Sequence, residues 1–183
     1  GKIEIIPKTI DFYETIEEIE ALFLFRSKAK GLSFNIKYDE NLPRYITLDG
    51  QRLKQIVINL LSNALKFTQK GEINLYIYES MNKLFFEVSD TGIGINNTDL
   101  KKIFKPFEQI KQDDYNKNGT GLGLAITSEL ISLMGGTIYA KSQEGKGSKF
   151  YFSVSYENAT KDLIQTIKDK NLILGIKNIE FSK

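Results

Sequence analysis

The strongest constraint on how this chain can fold is the place where its hydrophobic period changes. In "EINLYIYE" every second residue is apolar, namely Ile73, Leu75 and Ile77, and "LFFEVS" repeats this with Leu84, Phe86 and Val88. A period of two marks strands with one buried face, and with Gly71 at their head the two runs read as a hairpin. Immediately before them, "GQRLKQIVINLLSNALKFT" has the period of a helix. Leu53, Ile56, Val57, Leu60, Leu61 and Ala64 fall on one side, and Asp49 stands at the N-cap. A half-apolar sheet and a half-apolar helix each need cover, and each can supply it to the other.

The rest of the chain continues the alternation. "KIEII" is extended and ends at Pro7. "DFYETIEEIEALFLFRSKAKG" reads as a helix with Phe12, Ile16, Ile19, Phe23 and Phe25 near one face, stopped by Gly31. "LSFNIKY" and "RYITL" read as strands, "TDLKKIF" as a short helix, and "GTIYAKS" with "SKFYFSVSY" as a hairpin turning at "QEGKG". No internal repeat is visible. The class is therefore α/β, and 183 residues make one ordinary domain with room for a tail.

Composition removes several kinds of chemistry. The chain has no cysteine, so neither a disulfide framework nor thiol catalysis is available. It has no histidine, the commonest general base and metal ligand. The net charge of +2, without a basic run, gives no reason to expect nucleic acid. No apolar run reaches membrane-spanning length, and no signal peptide is visible. The opening Gly1 suggests a piece of a longer protein.

Three local features point to a ligand. In "NGTGLGLAITSELISLMGG", Gly119, Gly121 and Gly123 crowd the start of a helix, where glycine is conformationally costly. Bare backbone at a helix N-terminus suits a phosphate, because its N–H groups are free and the dipole is positive there. On the polar side of the 50–67 helix, Asn59 and Asn63 lie about 40° apart and Lys66 about 20° from Asn59. Arg52 and Gln55 continue that stripe. Asparagine is a poor helix former, and its amide oxygen is a hard neutral ligand suited to a magnesium ion that already carries phosphates. In "SDTGIGI", Asp90 ends a strand ahead of Gly92 and Gly94. That carboxylate can accept a hydrogen bond from a purine amino group, with bare backbone beside it for the ring.

Taken in order, "NLLSNALKFT", "DTGIGI", "IFKPFEQ", "GTGLGLAI" and "EGKGSKF" resemble the N, G1, F and G2 boxes and the final hairpin of the catalytic ATP-binding domain of sensor histidine kinases. The resemblance runs from about residue 45 to residue 156, and "FKPFEQ" makes it most similar to the hybrid kinases of phosphorelays. It implies a two-layer α/β (α+β) sandwich of the Bergerat type, a mixed sheet covered by helices on one face. It implies ATP and Mg2+, with Asn63 and Asn59 as metal residues and Lys66 beside them at the phosphates. Asp90, Gly92 and Gly94 would hold adenine, and Ser148 would join them. Gly119, Thr120, Gly121, Leu122 and Gly123 would line the phosphate end, and Phe104 and Phe107 would anchor a lid over the nucleotide.

The resemblance also implies partners. The γ-phosphate would pass to a histidine on a dimerisation domain of the same parent protein, and from there to a response regulator or receiver. Residues 1–156 would be the catalytic domain. Residues 157–183 would be a linker in which "NLILGIKN" can start a strand leading to a receiver. The domain would lie on the cytosolic side of a parent that can be membrane-anchored, without itself entering the membrane. Two features depart from the pattern. Tyr115 stands where many hybrid kinases carry arginine, leaving Lys105, Lys111 and Lys117 as candidate cations, and Asn118 replaces the first glycine of the box. The alternatives are a hydrolytic ATPase of the gyrase, mismatch-repair or chaperone type, or a degenerate nucleotide-binding module. Asn59 separates the first of these, since the hydrolytic relatives carry glutamate there as a base for water.

Overall fold

The computed structural model describes residues 3–108 and 121–173. In chain order the elements are β1 (Lys8–Asp11), α1 (Phe12–Ala29), β2 (Ser33–Tyr38), β3 (Tyr45–Leu48), α2 (Gly50–Phe67), β4 (Glu72–Ser80), β5 (Lys83–Asp90), α3 (Asn97–Leu100), α4 (Gly123–Leu133), β6 (Ile138–Gln143), β7 (Gly147–Ser155), β8 (Glu157–Asn158) and α5 (Lys161–Ile173). Five strands form the main sheet in the order β2-β4-β5-β7-β6. The β2–β4 pair is parallel and the other pairs are antiparallel, so the sheet is mixed. A smaller sheet, β1-β3-β8, closes one end.

The change of period becomes two layers. Ile73, Leu75, Ile77, Leu84, Phe86 and Val88 point into the same core as the apolar stripe of α2. Phe86 stacks on Phe152 with ring centroids 4.4 Å apart and meets Phe12 of α1 edge-on at 6.5 Å. The opposite face of the sheet carries stacked aromatics at the surface, Tyr76 on Tyr78 and Tyr78 on Phe85. Asp11 and Asp49 cap α1 and α2, accepting from the first-turn N–H groups of each helix. Asp49 also accepts from the Ile6 N–H at 2.8 Å, which ties the N-terminal segment to the start of α2.

Several boundaries differ from the sequence reading. Phe25 is 78% exposed, not on the buried face of α1. It lies two residues from buried Phe23, about 200° around the helix. The reversal between β4 and β5 is made by Met81 and Asn82, both at positive φ, in the manner of a two-residue hairpin loop. The helix read into "TDLKKIF" ends at Leu100. Its continuation is a set of turns, with Lys102 N–H donating to Asp99 and Lys105 N–H to Lys102. Pro106 excludes helical backbone at the residue before it. Strand β1 begins after Pro7, where the sequence reading ends the extended piece. Within 157–183, β8 pairs with β3 and α5 packs against β1. The later part of "NLILGIKN" lies outside the described residues.

Candidate nucleotide site

α2, α4 and the loop after β5 bring the proposed residues to one side of the domain. Asn59 lies on the polar face of α2, where the helix packs against α4. Its Nδ2 donates to Thr127 Oγ1 at 2.8 Å, and Thr127 is buried inside α4. A Cβ at Gly123 would stand 2.8 Å from Asn59 Oδ1, so the first residue of α4 is glycine because the Asn59 amide occupies the space. One turn further along α2, the Asn63 amide is half-buried and bonds to no other described residue. Lys66 places its ammonium 5.1 Å from the centroid of the Phe67 ring.

Asp90 ends β5 directly across from Ser148 of β7. Side chains at paired positions lie on the same face of the sheet. The Gly92 N–H donates to Asp90 Oδ1 at 2.8 Å. Partial burial pushes the Asp90 carboxyl above its ordinary value, and hydrogen bonds from the Gly92 and Ser148 N–H groups pull it back. Gly92 and Gly94 shape this floor for a reason internal to the protein. A Cβ at Gly92 would overlap the carbonyl of Phe67 at the end of α2, and one at Gly94 the carbonyl of Gln143 in the β6–β7 turn. Ile93 N–H donates to that Phe67 carbonyl at 3.2 Å, and Gly145 N–H to the Ile93 carbonyl at 2.7 Å. The glycine loop is thus clasped from both sides.

The phosphate end is described in part. Gly119, Thr120, Lys111, Tyr115, Lys117 and Asn118 lie outside the described residues. Gly121 takes φ +69°, a conformation that suits glycine, and its carbonyl accepts from the Phe107 N–H at 3.0 Å. Leu122 then leads into α4, where it supplies no side-chain cap. Phe104 packs edge-on against Phe150 at 6.4 Å and so anchors its segment in the core. Phe107 does not do this with its ring, which is 75% exposed; it is held through its backbone. Lys105 is exposed.

Sequence reasoning missed Ser142 and Thr127. Ser142 lies on the half-buried side of β6 with Ile138 and Ala140, and Thr127 among the buried residues of α4 with Leu130 and Ile131. In each case the signal was a hydroxyl at a position whose period calls for an apolar side chain. A separate cavity of about 390 Å³, lined by Asp11, Asp49, Arg52 and Ile167 among others, lies at the opposite end of α2 and shares none of these residues.

A carboxylate ahead of a glycine loop at the end of a strand, that loop clasped to the end of an amide-bearing helix which packs on a glycine-led one, is an arrangement suited to a nucleotide in an α/β sandwich. Residues 48–158 match the family model described as histidine kinase-, DNA gyrase B-, and HSP90-like ATPase. The aerobic respiration control sensor protein ArcB of Escherichia coli (strain K12) is 35% identical over 97% of this chain, which spans 23% of that relative's length. Full-length ShkA, solved in complex with AMPPNP, superposes with a TM-score of 0.75 at 30% identity, over 87% of this chain and 33% of that one. The catalytic domain of histidine kinase ThkA gives 0.70 at 29% identity, over 82% and 97%. ThkA is also solved in complex with the response regulator protein TrrA, with a TM-score of 0.67 at 25% identity, over 82% and 42%. The chain belongs to this ATPase family, and within it is similar to the ATP-binding catalytic domains of sensor histidine kinases.

Proposed function

We propose that this chain binds ATP with Mg2+ and delivers the γ-phosphate to a histidine on the dimerisation domain of its parent protein. The phosphate then passes to a response regulator. The observation that carries this reading is the pairing of a half-buried carboxylate, Asp90, with amides and no carboxylate at Asn59 and Asn63. Asp90 accepts from the adenine amino group, with Gly92, Gly94 and Ser148 around the ring. Gly121, Leu122 and Gly123, with Gly119 and Thr120 just before them in the sequence, are assigned to the phosphates, and Phe104 and Phe107 to the base of the lid. Asn63 offers a hard oxygen with no partner among the described residues. Among the described residues no cluster of three or more acidic, histidine or cysteine side chains could hold a metal unaided. Asn63 would hold a magnesium ion that takes most of its ligands from the nucleotide and water, with Asn59 and Lys66 beside it. Bound there, the metal neutralises charge on the transferring phosphate.

The acceptor imidazole attacks the γ-phosphorus, the bond to the β,γ-bridging oxygen breaks, and ADP leaves. This chain has no histidine and cannot be the acceptor. The test is to add the histidine-bearing helical domain of the parent protein to the chain with γ-labelled ATP. Acid-labile, base-stable label is expected on the added domain alone, and its failure to appear while ATP binds would refute the kinase reading. The likeness to ThkA, which is solved in complex with the response regulator protein TrrA, supports placing the domain on the cytosolic side. No helix among the described residues is long and apolar enough to cross a membrane.

The hydrolytic alternative predicts a base for water at residue 59, where the side chain is an amide bonded to Thr127. An amide takes no proton at neutral pH. ATP turnover by the chain alone is therefore expected to be very slow, and brisk multiple-turnover hydrolysis would promote the ATPase reading instead. Asn59→Glu should raise hydrolysis, by less than the 10²–10⁴-fold of a positioned base.

Asp90→Asn should weaken ATP binding about tenfold or more, the worth of one charge-assisted hydrogen bond. GTP, with a carbonyl where ATP has its amino group, should bind poorly. The carboxyl titrates above its ordinary value of 3.8. An amino group donates to the ionised form, so ATP affinity should fall as pH drops through that raised value. Calorimetry across mildly acidic pH should show this step in the native chain and lose it in Asp90→Asn.

A further inference from the structure

Ser142 lies at a junction that none of the site assignments includes. Its Oγ accepts from the Ile95 N–H at 2.7 Å, donates to the Gly147 carbonyl at 2.8 Å, and lies 2.9 Å from Ser148 Oγ. A hydroxyl has one hydrogen and two lone pairs. Either hydroxyl could donate in the Ser142–Ser148 pair; assigning the Ser142 hydrogen to Gly147 and one lone pair to Ile95 makes the Ser148 hydroxyl the donor. The Ser148 hydrogen is therefore turned away from its other neighbours. Ser148 stands across from Asp90, on the same face of the sheet, and is itself buried.

We propose that Ser142 is a positioning residue that makes the base pocket an all-acceptor surface, so that it selects purine nucleotides carrying a 6-amino group over 6-oxo ones. The inference rests on the reading that Asp90 and Ser148 face the purine. With the Ser148 hydrogen committed to Ser142, both groups at the floor of the pocket offer lone pairs. An exocyclic amino group supplies hydrogens to them. A 6-oxo group presents lone pairs to lone pairs and leaves buried acceptors unmatched. The same Ser142 oxygen holds the Ile95 N–H and thereby the end of the glycine loop.

The test is the ratio of ATP to inosine triphosphate affinities, measured by calorimetry on the chain. In Ser142→Ala the Ser148 hydroxyl is free to rotate and donate to a 6-oxo group, so the ratio should narrow about three- to tenfold. Ser142→Thr, which keeps the hydroxyl, should retain the native ratio. In a Ser148→Ala background, Ser142→Ala should leave the ratio unchanged, because its effect runs through that hydroxyl. If Ser142→Ala lowers both affinities equally, Ser142 only supports the loop and the proposal is wrong. If Asp90→Asn also leaves the ratio unmoved, the placement of the purine is at fault, and the proposal falls with it.

Discussion

Asn63→Ala is expected to lower phosphotransfer to a supplied histidine-bearing domain by on the order of 10²–10³-fold, while ATP still binds. A metal that polarises a phosphoryl oxygen contributes several kcal/mol to the transition state, and each 1.4 kcal/mol is about tenfold in rate. Asn63 is the amide on the polar face of α2 without a partner among the described residues, whereas Asn59 is engaged with Thr127. Removing it takes away an oxygen ligand and breaks no side-chain hydrogen bond among the described residues. The proposed adenine end, at Asp90, is built from β5, β7 and the glycine loop, none of which includes Asn63. Calorimetry should therefore show nucleotide binding with a reduced dependence on Mg2+, alongside the collapse of labelling. Equal labelling by the variant and the native chain would remove Asn63 from the metal role.

Gly94→Ala is expected to cost about 3 kcal/mol or more of folding stability, and to abolish ATP binding even where the fold survives. Gly94 sits at φ +69° with the Gln143 carbonyl where a side chain would begin. An L-residue in that conformation costs roughly 1–2 kcal/mol, and overpacking against backbone typically another 1–3. The carbonyl cannot retreat cheaply, because Gly145 N–H to Ile93 and Ile95 N–H to Ser142 hold the loop and the turn together. Relief comes only by opening that clasp, which moves the floor beneath Asp90. Urea unfolding reads the stability and calorimetry reads the binding. As a contrast, Gly145→Ala meets no atom within 4 Å and bears only the strain of φ +78°, so it should cost less on both measures.

The sequence by itself determined the layers of this protein and the candidate residues of its site. A period of two in 72–79 and 84–89, set against a helical stripe in 50–67, specifies which faces are buried, because apolar surface must leave water whatever the topology. The boxes around Asn63, Asp90 and Gly121 were legible because each departs from what a plain helix, strand or turn would carry. Features made by residues distant in the chain were not legible. Phe107, read as an anchor of the lid, is held by a backbone bond to Gly121 while its ring is exposed. The glycines read as room for a ligand are first of all room for the protein's own backbone and side chains, at Phe67, Gln143 and Asn59. Ser142 and Thr127 look locally like misplaced polar residues, and they acquire partners only when β6 meets β7 and α4 meets α2. A hydrogen bond depends on distances of about 3 Å and on direction. Local periodicity sets which way a side chain faces, and only the assembled tertiary structure brings a particular donor to a particular acceptor.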